Sequence, residues 1–265
     1  MDTRSQEQLP KKELVLTFSQ KSVASSKRPK INEDAVGFDA NAGWAAVFDG
    51  VGGVAGGKEA SKMGLKVLGR CLSEIPVDAV NEVIWDGVRE AFERADKEIK
   101  KVGGKTTAVA VKIAGKREKF AYIGIIGDSR LYLFRDGKLE RVTEDYSLMD
   151  QATAEKLDHA ENREDLTEKE VNHFRMRNII TGDLGDNQPF YGVDEYKRKL
   201  AHGDILVLTS DGVHDNLTID EMQKIIGEVR GASALVNEAK TRSQEGHFRS
   251  KADDISAVLI EVNET

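Results

Sequence analysis

The chain has 265 residues, carries a net charge of −7 and is 32% charged, which favours a soluble globular protein of one or two domains. The acidic balance argues against a general nucleic-acid binder, which would be basic. Cys71 is the only cysteine, so an intramolecular disulfide is excluded and a reducing compartment is favoured.

The N-terminal residues 1–12 are polar and are predicted to be frayed. They lack the apolar core of a signal peptide, and no apolar run approaches the roughly 20 residues that span a bilayer. The sequence therefore predicts a cytoplasmic protein with no membrane partner and no nucleic-acid partner.

The first half of the chain predicts strands, then two long helices, then strands again. The alternation around Leu14, Leu16 and Phe18 is typical of a strand. Apolar residues at 3.6-residue spacing predict the helices, and Pro76 separates them. The predicted strands lie at 14–19, 35–38, 45–48, 106–113, 119–126 and 130–134, and the predicted helices at 59–75 and 77–102.

The second half opens with Asp136-Gly137, a two-residue hairpin signal. Residues 147–177, named the flap segment below, are charged and helix-forming, and 178–192 predicts a loop with one short strand. Helices are predicted at 149–160, 167–176, 219–229 and 232–245, and strands at 205–208 and 255–262. This order predicts one α+β domain over 13–265, with antiparallel sheets and segregated helices.

Asp49 follows the short apolar run 45–48, and a series of glycines begins directly after it at Gly50. Their spacing loosely fits a dinucleotide fingerprint, but the anionic Asp49 disfavours a pyrophosphate, and no acidic residue stands about 20 positions later. The segment from Gly103 to Thr106 suggests a P-loop, yet it leads from a helix into a strand, the reverse of the P-loop order. A carboxylate at the exit of a buried strand fits a cation better.

Acidic residues recur at the ends of predicted buried strands, and strand ends converge on one edge of a sheet. Carboxylates brought together repel one another unless they are protonated or bound to cations. Oxygen ligands without His or Cys suit Mg²⁺ or Mn²⁺. The competing interpretation is that each acid merely begins or ends a turn. The positions are Asp34 with Glu33 beside it, Asp49, Asp128, Asp211, and Asp253 with Asp254.

Six segments resemble the metal-dependent Ser/Thr protein phosphatases of type 2C, in the family's order and at its usual separations. They are NEDAVGF, VFDGVGG, TTAVAV, IGDSRLYLFRDGKLERVTEDYSL, LTSDGVHDNLT and ADDISAVLI, between Asn32 and Ile260. The resemblance implies a four-layer α-β-β-α sandwich of two antiparallel sheets flanked by helices. It also implies a dinuclear Mg²⁺ or Mn²⁺ centre that hydrolyses phosphoserine and phosphothreonine in proteins.

By position, the resemblance implies that Asp49 bridges both metals and that Asp211 and Asp253 serve one of them. These three residues are therefore the candidate catalytic acids. Two metals about 3.5–4 Å apart share a water and lower its pKa, which yields a nucleophile for in-line attack on phosphorus.

The same resemblance implies further ligands. The Gly50 carbonyl and Glu33 would serve the other metal, partly through water, and Asp34 is the neighbouring acid that supports the site or binds in place of Glu33. Asp128 matches a position linked to a third, weaker metal. Asp254 stands where the family usually has Asn.

Two departures from the family pattern affect the phosphate. Val51 replaces a His that has been viewed as a general acid in many eukaryotic members; bacterial-type members also lack it, and a water could protonate the leaving group. Pro29 stands at the family's phosphate-binding Arg, so Arg28 and Lys30 are the candidate phosphate-binding residues. The alternative is a solvated basic loop. The flap segment falls where the family contacts its substrate.

Two other functions compete with the phosphatase. One is a catalytically silent phosphoprotein-binding module, against which the presence of Asp49, Asp211 and Asp253 argues. The other is hydrolysis of small phosphoesters, which a content of 6% aromatic residues mildly disfavours. Cys71 and His214 are predicted to be structural. The expected partners are phosphoprotein substrates and a cognate Ser/Thr kinase, and the expected state is a bacterial-type monomer.

Overall fold

The computed structural model describes residues 13–51, 56–116 and 118–265, in which ten strands form two five-stranded antiparallel sheets. Residues 1–12, the glycine-loop positions 52–55 and position 117 lie outside the described residues. The first sheet has the order β1 (Leu14–Val23), β10 (Ile255–Glu264), β9 (Ile205–Thr209), β6 (Arg130–Arg135) and β7 (Lys138–Arg141). The second has the order β2 (Ala35–Asp39), β3 (Trp44–Phe48), β4 (Ala108–Ala114), β5 (Phe120–Ile126) and β8 (Asp194–Lys199).

Helices cover both outer faces of the two sheets. One apolar cluster joins the first two helices to the second sheet, a second fills the space between the sheets, and a third joins the last two helices to the first sheet. The four-layer α+β prediction is confirmed. The helices are α1 (Gly57–Glu74), α2 (Asn81–Val102), α3 (Gln151–His159), α4 (Glu168–Arg175), α5 (Asp211–His214), α6 (Ile219–Glu228) and α7 (Ala232–Arg242).

Strand β3 shows why the central strands are apolar along their whole length. Ala46 and Phe48 pack in the cluster beneath α1 and α2, whereas Ala45 and Val47 pack in the cluster between the sheets. Because successive side chains point to opposite faces, a strand buried on both faces needs apolar residues at every position. The short run that the sequence singled out is therefore an interior strand.

The flap segment contains α3, a 3-10 turn at Arg163–Asp165 and α4, and it lies between β7 and β8. It has a small apolar core of its own, and Phe174 stacks on Phe248 with ring centroids 4.5 Å apart. This contact ties the flap segment to the chain that precedes β10. The members of its core are Leu157, Ala160, Leu166, Val171 and Phe174.

The structure corrects two predicted elements and adds a strand that was not predicted. The helix predicted from 77 begins at Asn81, because 76–79 form a turn in which Ala79 N donates to Pro76 O. The short strand predicted within 178–192 is reduced to isolated bridges at Ile180 and Leu184. The edge strand β8 follows at Asp194–Lys199; its sequence, DEYKRK, is too charged to signal a strand, yet charge is what protects a sheet edge.

Candidate metal centre

Five of the predicted acids lie at one edge of the sandwich. Asp34 immediately precedes β2, Asp49 immediately follows β3, and Asp211 follows β9 after Ser210. Asp128 follows β5, and Asp253 stands two residues before β10. In antiparallel sheets the start of one strand lies beside the end of the next, so acids distant in sequence meet there.

A cavity of about 330 Å³ opens at this edge. Of the predicted metal-site residues, Glu33 and Asp34 are not in its wall, and the predicted Lys30 is exposed and also lies outside it. The cavity is lined by Arg28, Asp49, Gly50, Val51, Thr107, Asp128, Asn178, Ile180, Asp211, Lys251, Ala252, Asp253 and Asp254.

The backbone around Asp49 is held rigidly. Thr107 N donates to the Asp49 carbonyl at 2.9 Å, and Thr106 Oγ1 donates to the same oxygen at 2.8 Å. Gly50 N donates to Glu33 O at 3.2 Å, and a Cβ at Gly50 would stand 2.6 Å from the backbone of Gly57. Gly50 is therefore required for this close approach of backbone to backbone.

The acids at this edge strongly perturb one another. Burial raises the pKa of Asp49 well above its ordinary value, and the charges of Asp34, Asp211, Asp253 and Asp128 raise it further. Burial likewise raises the pKa of Asp128 and of Asp211, with neighbouring carboxylates adding to the effect. A cation bound near these carboxyl groups would stabilise their ionised forms, which otherwise repel one another.

Asp34 lies behind the cavity wall, where Ser210 Oγ donates to its Oδ2 at 2.9 Å. Burial raises its pKa to about 8 despite hydrogen bonds from Ser256 and Ser210. Its other oxygen, Oδ1, and the Oδ1 of Asp211 are buried without a hydrogen-bond partner among the described residues. Buried orphan carboxylate oxygens are the donors that a hard divalent cation takes up.

The donor chemistry of this edge therefore fits Mg²⁺ or Mn²⁺, although the described acids are too far apart for three of them to contact one ion. Within the part of the chain that the structure describes, no group of three or more His, Cys, Asp or Glu side chains has the spacing to hold an ion. Mg²⁺ keeps several waters and needs only one or two protein carboxylates, so acids at this wider spacing are still suited to bind it.

Sequence reasoning missed the cation that stands among these acids, Lys251. Its Nζ donates to Asp211 Oδ2 and, at 2.7 Å, to Asp215 Oδ2, and it lies 3.2 Å from Asp253 Oδ2. Asp215 is in turn 3.0 Å from Arg177 Nε at the end of the flap segment. The signals were Lys251 two residues before Asp253 and Asp215 one helical turn after Asp211, where both acids share a face.

Asp253 and Asp254 have different roles in spite of their adjacency. Asp253 lines the cavity and pairs with Lys251. Asp254 accepts from Ser25 N at 2.7 Å through Oδ1 and from Glu33 N at 2.7 Å through Oδ2. It therefore fixes the loop before β2 and orients Glu33, and a carboxylate serves two backbone donors well.

At the rim of the cavity, Arg28 pairs with Glu33 through its Nη1. The Arg28 side chain is 43% exposed, so it can turn toward an anion in the cavity. Of the two predicted phosphate-binding residues, only Arg28 has this placement. Lys30 has no hydrogen bond or ion pair among the described residues that would support its prediction.

The two residues predicted to be structural, His214 and Cys71, are not part of the cavity wall. His214 is 4% exposed, its Nδ1 lies 3.1 Å from Thr209 Oγ1, and burial lowers its pKa well below the ordinary value. Cys71 lies on α1 and packs against the apolar cluster that joins α1 and α2 to the second sheet. Partial burial raises the pKa of its thiol. A thiol held protonated in this way is a poor nucleophile.

The fold and the site together define a four-layer sandwich with an acidic cavity at the edge between its two sheets. The family pattern described as Protein phosphatase 2C matches residues 24–245. A Streptococcus pyogenes protein assigned to the protein phosphatase 2C type is 30% identical over 252 residues, which are 92% of this chain and 97% of that protein. The chain belongs to the protein phosphatase 2C family.

Solved structures agree with this assignment. A serine/threonine phosphatase of S. agalactiae is 26% identical with a TM-score of 0.72, and the match covers 93% of this chain and 99% of that chain. The catalytic domain of the phosphatase PstP, in complex with two manganese ions, shares the fold at 23% identity and a TM-score of 0.71. That match covers 95% of this chain and 100% of that one.

Proposed function

We propose that this chain hydrolyses phosphoserine and phosphothreonine in proteins at the cavity between its sheets, with divalent cations held by the cavity acids. The observation that carries the proposal is the meeting of Asp49, Asp128, Asp211 and Asp253 in one cavity with Arg28 at its rim. The two manganese ions of the PstP catalytic domain, which has the same fold, support Mn²⁺ as one of the cations.

The family resemblance, together with the lining of the cavity, supports the following assignment of residues to the cations. Asp49, which is close enough to Asp34, Asp128, Asp211 and Asp253 to feel their charges, would be the candidate to serve two ions, and the Gly50 carbonyl would serve one of them. Asp211 and Asp253 are the candidates for the other ion, and Asp128 is suited to a third ion. Glu33 and Asp34 are not part of the cavity wall and would support the ion served by the Gly50 carbonyl, through water or through the backbone. Bound cations would supply Lewis acidity toward water and toward the phosphoryl oxygens.

The chain's own residues position the phosphate. Arg28 presents a guanidinium, whose planar fork matches two phosphoryl oxygens, and its pairing with Glu33 holds it ready at the rim. Val51 lines the cavity but cannot donate a proton, so we assign protonation of the leaving oxygen to solvent.

The lining also bears on the substrate class. No aromatic side chain is in the cavity wall formed by the described residues, so no described side chain there is placed to stack on a base. A polar, open rim beside the flap segment favours a phosphorylated protein over a nucleotide. A silent binding module is disfavoured because Asp49, Asp211 and Asp253 are all in the wall.

Location and partners stay predictions. No described helix is long and apolar enough to cross a membrane. We propose a cytoplasmic monomer from the acidic composition and the single cysteine, opposed by a Ser/Thr kinase.

Phosphate release from a phosphothreonine peptide tests the proposal, with Mn²⁺, with Mg²⁺ and with EDTA. We expect release that depends on the metal and that falls at least about 100-fold in Asp211→Asn, because that change removes a charge at the reacting centre. Asp186→Asn, a carboxylate that pairs with Lys105 outside the cavity, is the matched control and should keep its rate. Metal-independent release, or full activity in Asp211→Asn, would overturn the proposal.

The phosphate-binding residue has its own comparison. Arg28→Ala should raise KM about tenfold or more, because a charge-assisted contact of about 1.5 kcal/mol is lost. Lys30→Ala should have the smaller effect, since Lys30 lies outside the cavity wall. Equal effects of the two changes would assign phosphate binding to the basic loop as a whole.

A further inference from the structure

The ammonium of Lys251 contacts carboxylate oxygens of Asp211 and Asp253, which are the oxygens that a metal ion would need. Its ammonium donates to Asp211, approaches Asp253 within 3.2 Å, and has a side chain that is only 18% exposed. Asp211 and Asp253 are the two acids assigned above to one cation. A lysine and a divalent ion cannot both lie between them, since like charges repel strongly at such distances.

The third partner of Lys251 differs from the other two. Asp215 is not in the cavity wall, is 6% exposed and is held by Arg177 at 3.0 Å. Lys251 Nζ already lies 2.7 Å from Asp215 Oδ2. When Asp211 and Asp253 turn to a metal, the ammonium can therefore remain paired without moving out to solvent.

We propose that Lys251 is a built-in competitor for the metal: it holds Asp211 and Asp253 together in the metal-stripped protein and retreats to Asp215 when the metal binds. The proposal rests on the proposed function, because it assumes that these two acids bind a divalent cation. It makes Lys251 a positioning residue that sets metal affinity rather than a catalytic one.

If Lys251 competes with the metal for these two acids, removing its charge should increase the affinity for Mn²⁺. Replacing Lys251 by Met keeps the apolar stem and removes the charge, so the acids repel one another in the metal-stripped protein and attract the metal without a rival. We expect Lys251→Met to bind Mn²⁺ about tenfold more tightly, equivalent to about 1.4 kcal/mol. We also expect the metal-stripped variant to melt at a lower temperature than wild type. A lysine that merely supported the acids would produce weaker metal binding when removed.

A second variant tests the retreat position. Asp215→Asn removes the alternative partner and leaves Lys251 on Asp211 and Asp253, so Mn²⁺ should bind about tenfold more weakly. In the double variant Lys251→Met/Asp215→Asn, the weakening should disappear, because it acts through the ammonium. Persistence of the loss in the double variant would mean that Asp215 attracts the metal directly.

Titration calorimetry with MnCl₂ on metal-stripped full-length protein measures these affinities, with circular dichroism to verify folding. Lys105→Met is the matched control, since Lys105 also pairs with two carboxylates, Asp183 and Asp186, and should not change the affinity. Lys251→Arg keeps the charge and should bind Mn²⁺ no more tightly than wild type, which tests the idea even if Lys251→Met does not fold.

The outcomes separate this inference from the proposed function. Wild-type protein that binds no Mn²⁺ contradicts the proposed function itself. Wild-type protein that binds Mn²⁺ and releases phosphate, together with Lys251→Met that binds equally or more weakly, overturns only the role of Lys251. Tighter binding in Lys251→Met with no change in Lys105→Met supports it.

Discussion

Two regions of the molecule each bury most of a lysine, but they use its charge differently. At the end of α1, Lys112 is fully buried and donates to three carbonyls, those of Ala42 at 2.6 Å, Leu72 at 3.0 Å and Ile75 at 2.7 Å. At the cavity, Lys251 faces Asp211, Asp215 and Asp253. Lys112 therefore donates to neutral carbonyl oxygens, whereas Lys251 pairs with negatively charged carboxylates.

The difference lies in what can replace each cation. The carbonyls around Lys112 belong to the turn between β2 and β3 and to the C-terminal end of α1. The helix dipole favours a positive charge at that end of α1. They are sealed in the core, where no solvent ion reaches them. The acids around Lys251 line an open cavity and prefer a divalent cation. The carbonyls around Lys112 therefore keep the lysine as their partner, whereas the acids around Lys251 can exchange it for a metal ion.

The largest expected effect separates function from stability at the cavity. Asp49→Asn should reduce phosphate release by about 10³-fold, because it removes the carboxylate that would serve two ions. The same change should raise the melting temperature of the metal-stripped protein, since Asp49 is buried beside four like charges. Phosphate assays and thermal denaturation in EDTA measure the two effects. A lower melting temperature would show that the acids are not in conflict.

The opposite behaviour is expected at the sealed lysine. Lys112→Met should lower the free energy of unfolding by about 2–4 kcal/mol, because it removes the buried donor that serves the carbonyls of Ala42, Leu72 and Ile75. Mn²⁺ affinity and KM should not change. Urea denaturation and calorimetry measure both quantities. A stable Lys112→Met protein with altered metal affinity would break the contrast between the two regions.

The pH dependence of stability sharpens the same contrast. Burial lowers the pKa of Lys112 to about 8, below the ordinary value of 10.5. A lowered pKa means that the folded protein releases this proton first, so the free energy of unfolding should rise between pH 8 and pH 10.5, by about 1–3 kcal/mol. Subtracting the same curve for Lys112→Met isolates the effect. An identical rise in the variant would assign it to other groups.

The smallest effect is expected for a lysine in neither kind of environment. Lys97 is exposed on α2 and pairs with Glu93 at 2.7 Å. Exposed pairs on a helix contribute little, because solvent and salt screen them. Lys97→Ala should leave melting temperature, Mn²⁺ affinity and phosphate release unchanged within error. A clear loss of stability would mean that charge number, rather than burial, controls the response to lysine removal.

Much of this protein was determined by its sequence alone. Alternation in β1, continuous apolar runs such as β3 and 3.6-residue spacing in α1 and α2 are local signals, so the strands, the helices and the α+β class followed from them. The acids that adjoin apolar runs were visible for the same reason, because strand ends carry turns. The charged strand β8 and the four-residue helix α5 lacked such signals and were missed.

Only the tertiary structure decided which of these residues share a cavity and which lie behind its wall. It put Arg28 in the cavity wall and left Lys30 outside it, and it gave the neighbours Asp253 and Asp254, which both line the cavity, different partners. It also placed Lys251 between Asp211 and Asp253 and connected it through Asp215 to Arg177. The physical reason is that Coulomb interactions depend on distance in space, and antiparallel pairing brings together strand ends that the sequence keeps far apart.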